Sequence, residues 1–155
     1  MITVKQLREA VAEIVAQIPE IRTSKFVFNE SQLTDKLSKQ RMIDNAILLT
    51  VCPSYQGFDG ADEDVSGYVT YFQFFILSKI DNKTIDEADV VAELQPLVHS
   101  FLAQLRLHGS GECVTFGNVE QGSLKIDPII NLSQCCGWVI TMNDSTYADF
   151  AGYTE

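Results

Sequence analysis

The chain has 155 residues, of which 46% are hydrophobic and 21% are charged, and its formal net charge at pH 7 is −10. This length and composition predict a single globular domain with a core of its own rather than a disordered chain. The excess of acidic residues argues against a protein that binds nucleic acid by neutralising phosphates, because that mode needs clustered Lys and Arg. An acidic surface also repels anionic membranes.

No segment has the pattern of a targeting sequence or a membrane span. The first residues are mixed in charge and helix-forming, without the basic stretch and apolar run of a secretory signal. No run approaches the ~20 apolar residues that cross a bilayer. We therefore expect a cytosolic protein whose four cysteines are reduced thiols.

The first predicted element is an amphipathic helix. Thr3 and Gln6 have the spacing of a capping box, apolar residues then recur with helical periodicity, and Pro19 ends the pattern. Residues 25–30 follow with the β-branched and aromatic content of a short strand.

Residues 31–44 are mostly polar, and only Leu33 and Leu37 would permit one or two helical turns. A loop of this length is uncommon in a compact domain, so the segment predicts either a functional loop or a poorly ordered arm. It carries three of the eleven basic residues of this acidic chain, which are Lys36, Lys39 and Arg41. A solvated loop and a partner-binding arm are the two interpretations.

Residues 45–52 and 68–78 are the clearest strands, and a connection rich in Pro, Gly and acidic residues joins them as an extended hairpin. Successive side chains of a strand point to opposite faces, and in residues 68–78 both faces are largely apolar. A sheet with helices on one side only would leave one of those faces in water.

A second amphipathic helix is predicted to begin at Thr84, which has capping-box spacing to Glu87, and to end at Gly109. Acidic residues in its first turn and basic residues in its last turn suit the helix dipole. Pro96 lies inside the apolar stripe, so it should kink or interrupt this helix.

Two more strands, residues 123–133 and 135–143, complete the pattern, and Pro128 marks the first as an edge strand or a bulged strand. The order of elements predicts an α+β fold in residues 3–144, with an antiparallel β-sheet of about four to five strands and two helices packed on one face. Residues 145–155 are polar and acidic, and they predict a flexible C-terminal tail.

Cys135 and Cys136 raise the question of a redox or metal site. Adjacent residues of a strand point to opposite faces, so these two thiols cannot easily share one tetrahedral ion, and the four cysteines lack zinc-site spacing. The sequence therefore predicts two small, buried strand residues. Gly137 then marks a bulge or a close backbone approach, and Trp138 a large packing anchor.

A cysteine-dependent enzyme is an alternative, with Cys136 or Cys113 as the nucleophile and His99 as its base. No nucleophile-elbow or papain-like pattern accompanies these residues. The acidic loop at residues 58–64 offers hard oxygens to a cation but lacks the spacing of an EF-hand. We therefore expect no catalytic residues, no cofactor and no metal.

The order of elements, which ends in GWVITMND from Gly137 to Asp144, resembles the small tail-terminator and tail-completion proteins of tailed phages and their prophage remnants. The likeness in element order covers residues 3–144, and the likeness in sequence is confined to KIDPIINLSQCCGWVIT at residues 125–141. Such a resemblance implies a non-enzymatic ring subunit, typically a hexamer, that caps the tail tube and joins it to the head. A small adaptor domain of unknown partner is a further alternative.

The resemblance also implies where contacts form. The sheet face away from the helices and the long loops would meet neighbouring subunits, the tail tube and the head-tail connector proteins, which fits the two-sided apolar strand because a cyclic interface covers a second apolar face. The implied interface residues are Tyr68, Tyr71, Phe72, Phe74, Phe75 and Trp138. An acidic channel wall would let DNA pass without sticking. The protein would lie in the host cytoplasm before assembly and then in the virion tail or head-tail junction.

Overall fold

The computed structural model describes residues 2–59, 66–80, 84–109, 116–120 and 122–148 of the chain. These ranges contain three α-helices, one 3-10 helix and six strands. In chain order the elements are α1 (Val4–Ala16), β1 (Thr23–Val27), α2 (Glu30–Ser38), the 3-10 helix (Met42–Asp44), β2 (Ile47–Val51), β3 (Ser54–Asp59), β4 (Ser66–Lys79), α3 (Glu87–Gly109), β5 (Lys125–Leu132) and β6 (Cys135–Ala148).

All six strands form one mixed sheet in the order β1-β2-β4-β6-β5, and β3 pairs with β4 outside this path. β1 is parallel to β2, and the other pairs are antiparallel. One side of β4 is taken by β6, whereas the other side is shared by β2 at residues 74–77 and β3 at residues 66–71. The predicted α+β class is confirmed, but the predicted antiparallel sheet is mixed, because β1 is parallel to β2. The strand count is six rather than about four to five, because β3 lies in the connection that was predicted as turns.

α1 and α3 pack together on one face of the sheet, where their apolar stripes form the larger core cluster. Phe74 of β4 is fully buried there, and its ring meets the ring of Phe101 in α3 edge to face with 5.1 Å between centroids. The predicted capping box starts α1, since the backbone N–H of Gln6 donates to the Thr3 hydroxyl and the Gln6 side chain accepts from the Thr3 N–H.

α2 packs on the opposite face of the sheet and forms a second, smaller cluster with β2 and β4. Leu33 and Leu37 are buried in this contact, and the side chain of Asn29 caps the helix by accepting from the Gln32 N–H at 2.9 Å. The prediction of a long loop or a poorly ordered arm at residues 31–44 was therefore wrong. Two leucines four residues apart suffice to hold a short helix when the facing sheet is already apolar.

Three of the aromatic residues predicted for an oligomer interface lie inside the protomer. Phe72, Phe74 and Phe75 are 2%, 0% and 7% exposed. The first two belong to the cluster under α1 and α3, and Phe75 belongs to the cluster under α2. Their assignment to an interface was wrong, because α1 and α3 cover Phe72 and Phe74 on one face of β4, and the unexpected third helix covers Phe75 on the other.

The last strand extends beyond the predicted end of the domain at residue 144. β6 runs to Ala148, and its residues 145–148 pair with residues 66–69 of β4. The predicted tail therefore begins inside a strand. Residues 149–155 of that tail lie outside the described ranges.

Three residues of the last two strands have the local roles that their sequence predicts. A Cβ at Gly137 would lie 2.1 Å from the carbonyl oxygen of Ile76, so β6 approaches β4 closely there. The indole N–H of Trp138 donates to the carbonyl oxygen of Val91 in α3 at 2.8 Å and anchors the helix on the sheet. Pro128 lies in β5, an outer strand whose register with β6 is irregular near its end.

α3 is continuous from Glu87 to Gly109 with Pro96 inside it, so the proline does not interrupt the helix. Pro96 is exposed, and because it has no N–H it cannot donate to the carbonyl oxygen of Ala92, which lies in the turn that also contains Val91. The Trp138 side chain donates to that same turn. None of the described helices is long and apolar enough to span a membrane.

Gly137→Ala should lower the free energy of unfolding by about 1–3 kcal/mol, because the added methyl group would overlap the Ile76 carbonyl and force the strands apart. Gly57→Ala in β3 is the matched control, since the nearest atom to its Cβ would be 3.9 Å away. Urea unfolding followed by circular dichroism compares the two variants. Equal stabilities would contradict the close approach of β6 to β4.

Leu37→Ala should lower the free energy of unfolding by about 2–4 kcal/mol, because it removes a buried side chain from the contact between α2 and the sheet. Thr34→Ala, on the exposed side of the same helix, should change the stability little. If both variants unfold at the same urea concentration as the parent chain, α2 does not contribute to the folded core.

Candidate functional site

α2 covers only part of the second sheet face, and a shallow groove of about 260 Å³ lies on the remainder. We name it the open groove. Tyr71 and Gln73 alternate along β4 with Phe75, whose side chain α2 covers, so the open groove continues the face on which α2 lies. Its lining residues include Val51, Cys52, Ser54, Tyr71, Gln73, Thr141 and Asn143.

Tyr71 provides the aromatic surface of the open groove. Its side chain is 38% exposed, and its hydroxyl donates to the Gln56 side-chain oxygen at 2.8 Å, which orients the ring. Tyr68 and Trp138, the other predicted interface residues outside the core, are half-buried on the face that α1 and α3 cover. Of the six predicted interface residues, Tyr71 and Phe72 line the open groove, and Phe72 is only 2% exposed.

The lining of the open groove mixes polar and apolar groups. Gln73, Thr141 and Asn143 are half-buried beside Val51, and none of the described lining residues is charged. A surface with an aromatic residue and no charged residue is typical of the centre of a protein interface. Burial raises the pKa of the Cys52 thiol, so this groove cysteine stays protonated at neutral pH and is a poor nucleophile.

The structure does not assemble the alternative catalytic pair. Cys136 is fully buried, and burial raises the pKa of its thiol, with a smaller contribution in the same direction from Glu87. His99 is exposed on α3, and no hydrogen bond joins it to Cys136. Cys113 lies outside the described residues. Cys135 is buried on the opposite face of β6 from Cys136, as strand alternation predicts.

The three basic residues of the predicted partner-binding arm are engaged within the chain. The ammonium group of Lys36 donates to the Phe26 carbonyl oxygen on β1. Lys39 forms an ion pair with Asp35 at 2.8 Å, and Arg41 forms one with Asp44 at 3.3 Å. The last two pairs are on the surface, where such pairs contribute little stability, but the arrangement belongs to a helix surface rather than to an extended arm.

Asp144 is a buried carboxyl group that was not among the predicted site residues. It is 2% exposed and accepts hydrogen bonds from the Asn118 N–H and the Thr146 hydroxyl, each at 3.2 Å. Burial raises the pKa of its carboxyl group, and these hydrogen bonds oppose the rise. Thr70 lies opposite on β4, fully buried, and its hydroxyl has no partner within the described structure. Strand alternation places Asp144 on the same face of β6 as the buried Ile140, but alternation does not by itself show that this face is covered at Asp144.

The predicted acidic loop at residues 58–64 lies mostly outside the described ranges. Among the residues that the structure does describe, no three His, Cys, Asp or Glu side chains are grouped to hold a metal ion. Comparison with known proteins adds no assignment. No model of a protein family matches the chain, and no curated protein matches it significantly.

Asp144→Asn should change how stability depends on pH. The raised pKa of Asp144 means that its protonated form stabilises the fold below the ordinary aspartate pKa, and that this contribution is lost as pH rises through the folded-state pKa. The parent chain should therefore lose stability relative to Asp144→Asn between acidic and neutral pH. Glu93→Gln, on the exposed side of α3, should track the parent. Urea unfolding at a series of pH values tests this, and parallel curves for all three proteins would contradict it.

Proposed function

We propose that this chain is a non-enzymatic structural subunit of a phage-like tail, which forms a ring that terminates the tail tube or joins it to the head. The observation that carries the proposal is the open groove, an uncovered part of the sheet face beside α2. A neighbouring subunit that covers this groove would bury the exposed part of Tyr71 and contact the polar side chains around it.

The contact surface in this proposal is smaller and more polar than the sequence predicts. Most of the apolar surface of β4 is inside the protomer, so the subunit can exist alone before it assembles. Polar, modest interfaces are typical of chains that fold first and associate afterwards. A ring then requires a heterologous contact, in which the open groove of one subunit meets a different surface of the next.

The strands around the open groove support such a contact. β3 pairs with the first six residues of β4, and the other side of that segment pairs with the last six residues of β6. This three-stranded end of the sheet carries the groove at its base, where β2 ends and β3 begins. A paired sheet holds the groove residues in a fixed register, which suits a contact repeated around a ring.

The remaining partners follow from the same proposal. The ring would contact tail-tube and head-tail connector proteins, form in the host cytoplasm, and reside in the virion tail or at the head-tail junction. The net charge of −10 is compatible with DNA that passes through a channel without binding to its wall.

Native mass spectrometry of the purified chain tests the proposal. We expect closed assemblies of more than two copies, with six as the main species. Tyr71→Lys should abolish these assemblies, because it places a charge in the groove that the contact must desolvate.

Ile43→Lys is the matched control, since Ile43 is 68% exposed and lies outside the groove lining. It should assemble like the parent chain. A parent chain that never exceeds two copies, or a Tyr71→Lys variant that assembles normally, would refute the ring contact.

A further inference from the structure

We propose that β5 pairs with β5 of a second copy of this chain, antiparallel, about a two-fold axis through Ile126. β5 is an outer strand of the sheet, and β6 is its strand neighbour within the described ranges. Ile126 and Ile130 are 37% and 57% exposed. An exposed edge strand with apolar side chains presents unpaired backbone groups to another strand.

The hydrogen bonds of β6 show which backbone groups face β5. The Asn143 N–H donates to the Ser123 hydroxyl at 3.0 Å, and the Asn143 carbonyl oxygen accepts from the Glu120 N–H at 2.9 Å. The Ser145 N–H donates to the Asn118 carbonyl oxygen at 3.2 Å on the same side. Backbone groups alternate along a strand, so the odd-numbered residues of β6 point toward β5.

The outward groups of β5 follow from its register with β6. In an antiparallel pair, the backbone groups of two opposite residues either both point toward the partner strand or both point away from it. The odd-numbered residues of β5 lie opposite odd-numbered residues of β6, so their backbone groups point toward β6. The backbone groups of Ile126, Pro128 and Ile130 therefore point away from β6. Pro128 has no N–H, so its place on the outward side removes no hydrogen bond from the sheet.

The charges of β5 select one register for a second copy. An axis through Ile126 places each Lys125 opposite Asp127 of the second copy, which gives two attractive pairs on the same sheet face. An axis through Lys125 or Asp127 would instead oppose like charges. An axis through Pro128 would place it opposite Pro128 of the second copy, and neither residue has an N–H to donate. Asn131, with φ 59°, ends the regular strand and disfavours axes nearer that end.

The other outer strand is not equivalent. At β1 the Lys36 ammonium group already donates to the outward carbonyl oxygen of Phe26, so α2 partly covers that edge. A β5 pair is isologous and closes after two copies. It is therefore a contact distinct from the heterologous contact through the open groove, and it stands or falls independently of the proposed ring.

Charge exchange tests the register. In the Tyr71→Lys background, which removes the groove contact, sedimentation velocity should show a monomer-dimer equilibrium. Lys125→Asp and Asp127→Lys should each weaken the dimer at least about tenfold, because each turns two attractive pairs into two repulsive ones. Both residues are exposed, so the fold should be unaffected.

The double variant Lys125→Asp/Asp127→Lys, in the same Tyr71→Lys background, restores opposite charges and should dimerise like the chain that carries Tyr71→Lys alone. A chain that stays monomeric at every concentration, or a double variant no tighter than the single ones, would overturn the proposal.

Cysteine cross-linking locates the axis. In the proposed pair the two Ile126 Cα atoms would lie about 5.5 Å apart, within the span of a disulfide. Ile126→Cys should therefore form covalent dimers on mild oxidation. Ile130→Cys is the matched control, since this more exposed residue would lie about 26 Å from its own copy. Cross-linking of Ile130→Cys at the same or a higher rate would indicate random collision and exclude this register.

Discussion

The pairing of β4 with β6 is the contact on which the rest of the molecule depends. Each strand has 14 residues, and their register is constant from Ser66 opposite Ala148 to Lys79 opposite Cys135. β2, β3 and β5 all attach to one of these two strands. The backbones approach so closely at Gly137 that a side chain would collide with β4. This pair forms the centre of the sheet on which the helices of both faces pack.

The lengths of the helices decide how much of each sheet face is covered. At 1.5 Å per residue, α3 with 23 residues is about 35 Å long, whereas α2 with 9 residues is about 14 Å long. β4 extends for about 46 Å. α1 and α3 can therefore cover most of one face, but α2 can cover only one end of the other. The open groove is the consequence of that mismatch.

The two proposed contacts use different kinds of surface. The open groove is a sheet face with mixed side chains around Tyr71, so its partner must bring complementary shape and hydrogen-bond groups. The edge of β5 offers backbone groups in a register that Lys125, Asp127 and Pro128 restrict. The first suits a repeated heterologous contact and the second a closed pair, and together they would allow assemblies with both rotational and two-fold symmetry.

Local pattern in the sequence was enough to predict the elements whose stability is largely local. α1, α3, β2 and β4 follow from apolar periodicity, and the start of α1 also follows from its capping box. α3 begins at Glu87 with a hydrogen bond from the Ala88 N–H to the Asp86 side chain, so the predicted cap at Thr84 was wrong. The roles of Gly137 and Pro128 follow from their missing side chain and missing N–H. The α+β class follows from the order of the elements. Periodicity shows that a strand has two apolar faces, but it does not show whether a helix of the same protomer or another molecule covers each face.

Only the tertiary structure decided what covers each surface, because that depends on contacts between residues distant in sequence. α2 has a weak pattern of its own and is held by apolar residues of β2 and β4. The burial of Asp144 depends on a register between β4 and β6 set over their whole length. Cys136 and His99 are separated because one points into the core and the other to solvent. Such pairings are non-local, so no short stretch of sequence contains them.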